Sequence, residues 1–397
     1  MPVIRRMLRH TLRRQPYPEG VSLLPSVGDV AGVLDALWPR QWAEDWDNVG
    51  LLVGDPASAV RRCLVALDAD RTTVAEAITR GAQLLISHHP LPFGPQRTVL
   101  ATDPTGDALL QAARGRLGIY AAHTNLDVAP DGTSAALAES LHLGHTAILR
   151  VTGHQLLYKL VVFVPAGHED AVLRALADAG AGHVGNYSHC SFAASGSGTF
   201  LPLEGARPFV GQVGILQRQS ELRMEVIVPE TQQEAAIRAM LAAHPYEEVA
   251  YDVLRLENPG AARGYGCVGE LPRVARLRSF AATVARVLGA PATRIVGDPE
   301  RSVHRVAVLG GAGADFIPDA IAAGADVLVT ADVRYHEARE AEDRGLALVD
   351  AGHQATEVPV VPVVAAALRK ATVGLELEVL TQVGRPDVWK LPRPSER

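Results

Sequence analysis

The sequence predicts an α/β fold: one two-lobed α/β body interrupted by an inserted ferredoxin-like α+β domain. Three observations carry this expectation. Short apolar runs alternate with amphipathic stretches toward both ends of the chain, the middle changes to a strand-rich texture, and the first style resumes after the turn Asn258-Pro259-Gly260. With 397 residues the chain is also too long for one ordinary core. The expected boundaries are a basic extension at 1–22, a first α/β lobe at 23–152, the insert at 153–256 and a second α/β lobe at 257–397.

Taken in order, residues 27–37 place apolar side chains at helical spacing. The stretch Trp46-Asp47-Asn48-Val49-Gly50-Leu51-Leu52-Val53-Gly54-Asp55 reads as a turn entering a short strand. A buried strand at 62–68, a helix at 72–81 and a strand at 84–87 make a βαβ rhythm, which continues with a helix at 105–117 and a strand at 118–123. A helix at 132–141 follows the turn Pro130-Asp131-Gly132. In the insert, a strand at 158–165 and a helix at 169–179 precede strands at 198–203, 211–215 and 221–228, then a helix at 231–243 and a strand at 249–256. A β-α-β start and a β-α-β finish around extra strands approximate the ferredoxin-like order. Beyond it come helices at 277–288, 316–323 and 336–344 and strands at 305–309, 327–330 and 347–350.

Composition narrows the function classes. The chain is 48% hydrophobic and 21% charged, as expected of a soluble globular protein. A net charge of -6 argues against a nucleic-acid-binding surface spread over the molecule. Cys63, Cys190 and Cys267 lie far apart without CxxC spacing, which excludes a thiolate metal knuckle and fits a reducing, cytoplasmic setting. No apolar run approaches the roughly 18 to 20 residues needed to cross a bilayer, so no membrane partner is expected. Arg5, Arg6, Arg9, Arg13 and Arg14 precede Pro16 and Pro18 with no apolar segment after them, which favours a floppy extension over an import signal.

The chemistry concentrates at strand ends. His88-His89 closes the apolar run Leu84-Leu85-Ile86-Ser87, His123-Thr124-Asn125-Leu126-Asp127 follows another, and Gly352-His353-Gln354-Ala355-Thr356-Glu357 a third. A lone His-His pair is weak evidence, since adjacent histidines also serve as satisfied polar groups in turns. Three separated strand ends offering His88, His89, Asp127, His353 and Glu357 are stronger, because groups in parallel sheets gather in the crevice beyond the carboxyl ends. Imidazoles with carboxylates suit Zn, Fe, Mn, Co or Ni, and one carboxylate can bridge two such ions. Asp47, His123, Asn125, Asp332 and His336 are candidates to orient ligands or carry protons. Their plain alternative is surface polarity or helix capping. The Gly-rich run Leu309-Gly310-Gly311-Ala312-Gly313-Ala314-Asp315 lacks the third glycine of a dinucleotide fingerprint. It reads first as a tight strand-to-helix turn and second as a phosphate cradle.

These motifs, in this order, resemble the hexameric dinuclear-metal proteins known as GTP cyclohydrolase 1 type 2 homologues. The matching stretches are Trp46-Asp47-Asn48-Val49-Gly50-Leu51, Ile86-Ser87-His88-His89-Pro90, His123-Thr124-Asn125-Leu126-Asp127, Thr330-Ala331-Asp332-Val333-Arg334-Tyr335-His336, and Asp350-Ala351-Gly352-His353 with Glu357. The resemblance implies that His88, His89, Asp127, His353 and Glu357 hold two divalent metal ions, with Glu357 bridging. It also implies a toroidal homohexamer and an insert of the PII/CutA type. One departure is visible: Ala331 stands where the family usually has glycine, which questions the local backbone if that glycine takes a positive φ.

Two divalent ions sharing a water lower its pKa and clamp the oxygens of a hydrolytic step. The expectation is therefore a metal-dependent hydrolase acting on a small-molecule, nucleotide-like substrate, with Glu357, His123 and His336 as catalytic candidates. The alternative is a non-catalytic metal-binding or regulatory hexameric scaffold.

Overall fold

The computed structural model describes residues 24–385 and 387–390. The basic extension expected at 1–22 lies outside them. The first helix, α1 (Val27–Leu37), starts on a capping box: the Ser26 hydroxyl accepts from the Asp29 amide at 3.1 Å, and the Asp29 carboxylate accepts from the Ser26 amide at 2.8 Å. Next come β1 (Gly50–Val53), β2 (Arg62–Ala66), α2 (Arg71–Thr79), β3 (Leu84–Ser87), α3 (Pro104–Arg114) and β4 (Gly118–Ala121). The one-turn helix α4 (Thr124–Asp127), α5 (Thr133–Ser140) and the long strand β5 (Gly144–His154) follow.

The middle of the chain supplies β6 (Leu157–Pro165), α6 (Glu169–Asp178), β7 (Ser191–Phe200), β8 (Gln217–Pro229), α7 (Gln233–Ala243) and β9 (Tyr251–Leu256). The rest supplies β10 (Ala262–Arg276), α8 (Leu277–Val287), β11 (Arg294–Val296), β12 (Ser302–Ala312), α9 (Ile317–Ala322) and β13 (Val327–Ala331). Last come α10 (Tyr335–Asp343), β14 (Ala347–Asp350), α11 (His353–Glu357), α12 (Val360–Ala371) and β15 (Glu378–Thr381).

Contacts divide the chain into two compact units, one of residues 154–261 and one of 24–153 with the described residues from 262 onward. The larger unit holds two sheets and is a mixed α/β structure. In the first sheet, ordered β1-β4-β3-β2-β15, strands β15, β2, β3 and β4 run parallel, and β1 is antiparallel at the edge. In the second, ordered β11-β14-β13-β12-β10-β5, the three central strands β12, β13 and β14 run parallel. Their side chains are buried on both faces, as expected of parallel strands. Val306, Val308, Val327 and Val329 pack with Leu137 of α5 and Phe280 and Val284 of α8, whereas Ala307, Leu328 and Leu348 pack with Ile317 of α9 and Ala341 of α10.

The smaller unit is a β-α-β-β-α-β succession folded into one antiparallel sheet ordered β7-β8-β6-β9. Its core joins Leu160, Val162 and Val164 to Val172 and Leu176 of α6 and Ala236 and Met240 of α7. The strand expected at 211–215 does not form: residues 201–216 are without strand, and Gly211 and Gly214 take φ of +90° and +79°, which no extended run accommodates.

Candidate metal centre

The larger unit brings the strand-end motifs together. His88 and His89 leave the end of β3, His123 caps α4 after β4 and Asp127 ends it, and Asp68 follows β2, so three adjacent parallel strands converge at their carboxyl ends. The second sheet contributes Asp332 after β13 and His353 with Glu357 on α11 after β14. A four-residue separation on one helical turn puts His353 and Glu357 on the same face, with His353 Nε2 3.1 Å from Glu357 Oε2.

The four imidazoles share one arrangement. His88 Nδ1 donates to the Ala122 carbonyl at 2.9 Å, His89 Nδ1 to Asp68 at 2.8 Å, His123 Nδ1 to Asp47 at 2.9 Å and His353 Nδ1 to Asp332 at 2.6 Å. Each ring is thus fixed in orientation and tautomer with Nε2 left to project forward, as outer acceptors hold metal-ligating histidines. His89 Nε2 stands 3.2 Å from Glu357 Oε2, and His88 Nε2 stands 3.6 Å from Asp127 Oδ1 and 3.8 Å from Glu357 Oε1. Two sets of donors lie close enough to hold an ion: His88, His89 and His123, and His89, His353 and Glu357.

The residues fit a metal on the structure's own evidence. His88 Nε2 and Glu357 Oε2 are buried without a hydrogen-bond partner, a costly condition that a coordinated cation removes. Electrostatics of the metal-free cluster agree. Burial opposes charge on Glu357, yet the neighbouring imidazoles of His353, His88 and His89 hold its carboxyl well below the usual range. Burial likewise opposes charge on His89, but Asp68 and Glu357 lift it to about 10. The Glu357 carboxylate beside His353 lifts that imidazole to about 9 against burial. Burial raises the Asp127 carboxyl, while His88 and the Thr133 hydroxyl, 2.5 Å from Asp127 Oδ1, counteract. Burial also acts against ionised Asp47, but His123 and Thr124 hold it down at about 2.

Several expectations change in detail. His123 stands among the imidazoles as a possible donor as well as a neighbour, its ring 5.1 Å from His88 and 5.6 Å from His89. His336 does not join them: it is exposed on α10 with its ring against Tyr335 at 5.3 Å, and no contact links it to the cluster among the described residues. The glycine run is a strand-to-helix turn, as its first reading expects: β12 runs through Gly310 and Gly311 beside the ligands and ends at Ala312, and Gly313 leads through a 3-10 turn into α9. A Cβ on Gly311 would lie 2.3 Å from Glu357 Oε1, and one on Gly310 would lie 3.3 Å from Glu357 Cγ. Ala331 is an ordinary buried strand residue, and the positive φ falls instead on Asp332, at +56°. Asn125 is fully buried, its amide donating to the Trp38 carbonyl at 2.7 Å and its Oδ1 accepting from the His123 amide at 2.9 Å, so it helps to position the segment bearing His123. Asp68 and Thr133 were not legible as partners, although the position of Asp68 just past a parallel strand was a usable signal.

Comparison with known proteins places this arrangement. The family model described as Duf34/NIF3 (NGG1p interacting factor 3) matches residues 25–386. A Halalkalibacterium halodurans protein named GTP cyclohydrolase 1 type 2 homolog is 42% identical over 320 residues, 81% of this chain and 86% of the relative. A Mycobacterium tuberculosis protein of the same name is 40% identical over 375 residues, 94% of this chain and 98% of the relative. Among solved structures, a Bacillus cereus protein related to NIF3 superposes with a TM-score of 0.83 at 39% identity, covering 94% of this chain and 100% of that one.

Proposed function

The chain belongs to the Duf34/NIF3 family, and on that footing we propose that it is a dinuclear-metal-dependent hydrolase of nucleotide-like small molecules. The names of its relatives point the same way. The observation that carries the reading is the pair of buried, unpartnered atoms His88 Nε2 and Glu357 Oε2 among imidazoles whose Nδ1 atoms are all engaged. In this reading His88, His89, Asp127, His353 and Glu357 would hold two divalent ions of the zinc, iron, manganese, cobalt or nickel type. Such ions, when bound, supply Lewis acidity that polarises a carbonyl or phosphoryl oxygen and acidifies water.

The protein's own groups do the rest. Asp68, Asp332 and the Ala122 carbonyl keep three rings aimed with Nε2 forward. Because Asp47 occupies His123 Nδ1, His123 Nε2 is the atom that takes a proton from the attacking water and returns it to the leaving group. Buried His88 and Glu357 close the inner side, and the half-exposed His353 marks the side open to substrate. We further read the smaller unit as a ferredoxin-like domain of the PII/CutA type, supported by its strand order, and the assembly as a homohexamer in the cytoplasm. A sedimentation mass of six chains is the expected result for the assembly. Cys63, Cys190 and Cys267 are all unpaired, in keeping with a reducing compartment, and no helix among the described residues is long and apolar enough to cross a membrane.

The test is metal analysis of protein purified without chelator, followed by a hydrolysis screen on GTP and other nucleotides. Two ions per chain and turnover are expected. Glu357→Gln should lose both while keeping its far-UV circular dichroism. Metal uptake without turnover of any nucleotide would replace the enzyme with a metal-binding scaffold.

A further inference from the structure

We infer that Trp46 and Phe93 form a stacking platform for a planar heteroaromatic ring at the mouth of the metal centre, so that the substrate carries a nucleobase or a similar flat heterocycle. The inference rests on the hydrolase reading for its substrate and narrows it. Trp46 is 64% exposed and Phe93 55% exposed, so neither ring belongs to a core. Yet both are positioned against one side chain: the His123 ring meets Trp46 at 6.0 Å and Phe93 at 5.4 Å between centroids, with interplanar angles of 76° and 77°. Such edge-to-face contacts occupy at most one face of each ring and leave the remaining surface to solvent.

Polar ties, rather than burial, hold the two aromatics there. Asp47, next to Trp46, has a fully buried side chain that fixes both the His123 ring and the Thr124 hydroxyl. Asn48 donates through Nδ2 to the Pro92 carbonyl at 2.8 Å, which fastens the segment bearing Trp46 to the one bearing Phe93. The chain thus leaves two large apolar rings in water and braces them beside the histidine offered as proton carrier. His353 and Asp332 are the exposed members of the cluster, at 39% and 51% side-chain exposure, so the centre is open to solvent. Aromatic side chains exposed next to a polar reacting centre suit ligands with a π-face, because every base can stack regardless of its hydrogen-bonding edge.

The experiment measures binding by calorimetry on the full chain as purified with its metal, using GMP, AMP, CMP and UMP against ribose 5-phosphate, which has the same phosphate and sugar but no ring. At least one nucleotide is expected to bind more tightly than ribose 5-phosphate by roughly tenfold to a hundredfold, the range set by one base–aromatic stack. The same nucleotide should quench emission that is missing from Trp46→Phe. Trp46→Ala and Phe93→Ala should each erode that preference by about tenfold or more, with metal content and circular dichroism unchanged, while Trp46→Phe keeps most of it. The proposal is overturned if no nucleotide outbinds ribose 5-phosphate, or if the alanine variants keep the wild-type preference. It is equally overturned if those variants change the sedimentation mass and not the preference, since the rings would then pack against another copy. Ring preference without product formation would sink the hydrolase and keep the platform. Hydrolysis with equal KM for ring-bearing and ring-free phosphates would do the reverse.

Discussion

Glu357 is the residue on which the centre turns, because His353 and His89 both approach its Oε2 and His88 approaches its Oε1. Without metal it is neutralised by imidazolium groups, and this fixes a sign for the pH dependence. His89 and His353 have folded values raised to about 10 and about 9 from an ordinary 6.5. Their stabilisation is complete below pH 6.5 and is lost as pH rises through those values. Glu357 is depressed, so its share is present above its ordinary 4.5 and is lost only as pH falls through its lower folded value. In chelator, thermal melting temperature should therefore drop from pH 6.5 to pH 10. With saturating zinc or manganese the drop should shrink or vanish, because metal needs neutral imidazoles and replaces their protons. Identical pH profiles with and without metal would remove the site from consideration. A second prediction concerns Gly311, whose φ is +70° and whose absent side chain makes room for Glu357. Gly311→Ala should weaken metal binding by roughly 10- to 100-fold, comparable to losing an outer support of a ligand, and titration calorimetry measures it.

Elements were legible in the sequence where burial is simple. The run Leu84–Ser87 is buried on both faces, and its unbroken apolar character identified both the strand and the site at its end. The helices Glu169–Asp178 and Leu277–Val287 bury one stripe each and were equally plain. What escaped has physical reasons. Strand β5 is a mostly exposed edge whose His, Thr and Gly residues show no apolar alternation, and β10 carries glycines and a proline within its length. Helix α12 opens Val-Val-Pro-Val-Val, where β-branched residues and proline mask helical periodicity, yet Val360, Val361 and Val364 are buried. The ligand motifs were legible because each is local, whereas Asp68 and Thr133 acquire their roles only through the fold. Strand packing should in turn govern the centre. Leu85→Ala empties a fully buried position in β3, three residues before His88, and should cost about 2–5 kcal/mol in urea unfolding. Saturating metal should restore part of that loss, since ligand binding stabilises the native state by mass action. An unchanged midpoint would mean that the core near β3 relaxes around the cavity.

At the scale of the whole molecule, the donors come from both sides of a long interruption in the sequence, and all of them lie in the larger unit. That unit has its own cores around the two sheets, and the smaller one has a separate core built on β6, β8 and two helices. The two crossings of the chain into the smaller unit are adjacent: the Gln155 amide donates to the Ala261 carbonyl at 2.9 Å, and the Gly260 amide donates to the Gln155 carbonyl at 3.1 Å. A tight turn can therefore replace residues 156–259 without stretching β5 or β10, because chain ends already within hydrogen-bond reach need little loop entropy to join. The shortened chain should fold cooperatively and bind as much metal as the full one, measured by metal analysis and thermal melting. If it folds and loses the metal, the smaller unit must reach the centre in the assembled protein. If it keeps the metal and its mass in sedimentation drops below six chains, the smaller unit is the element that builds the ring.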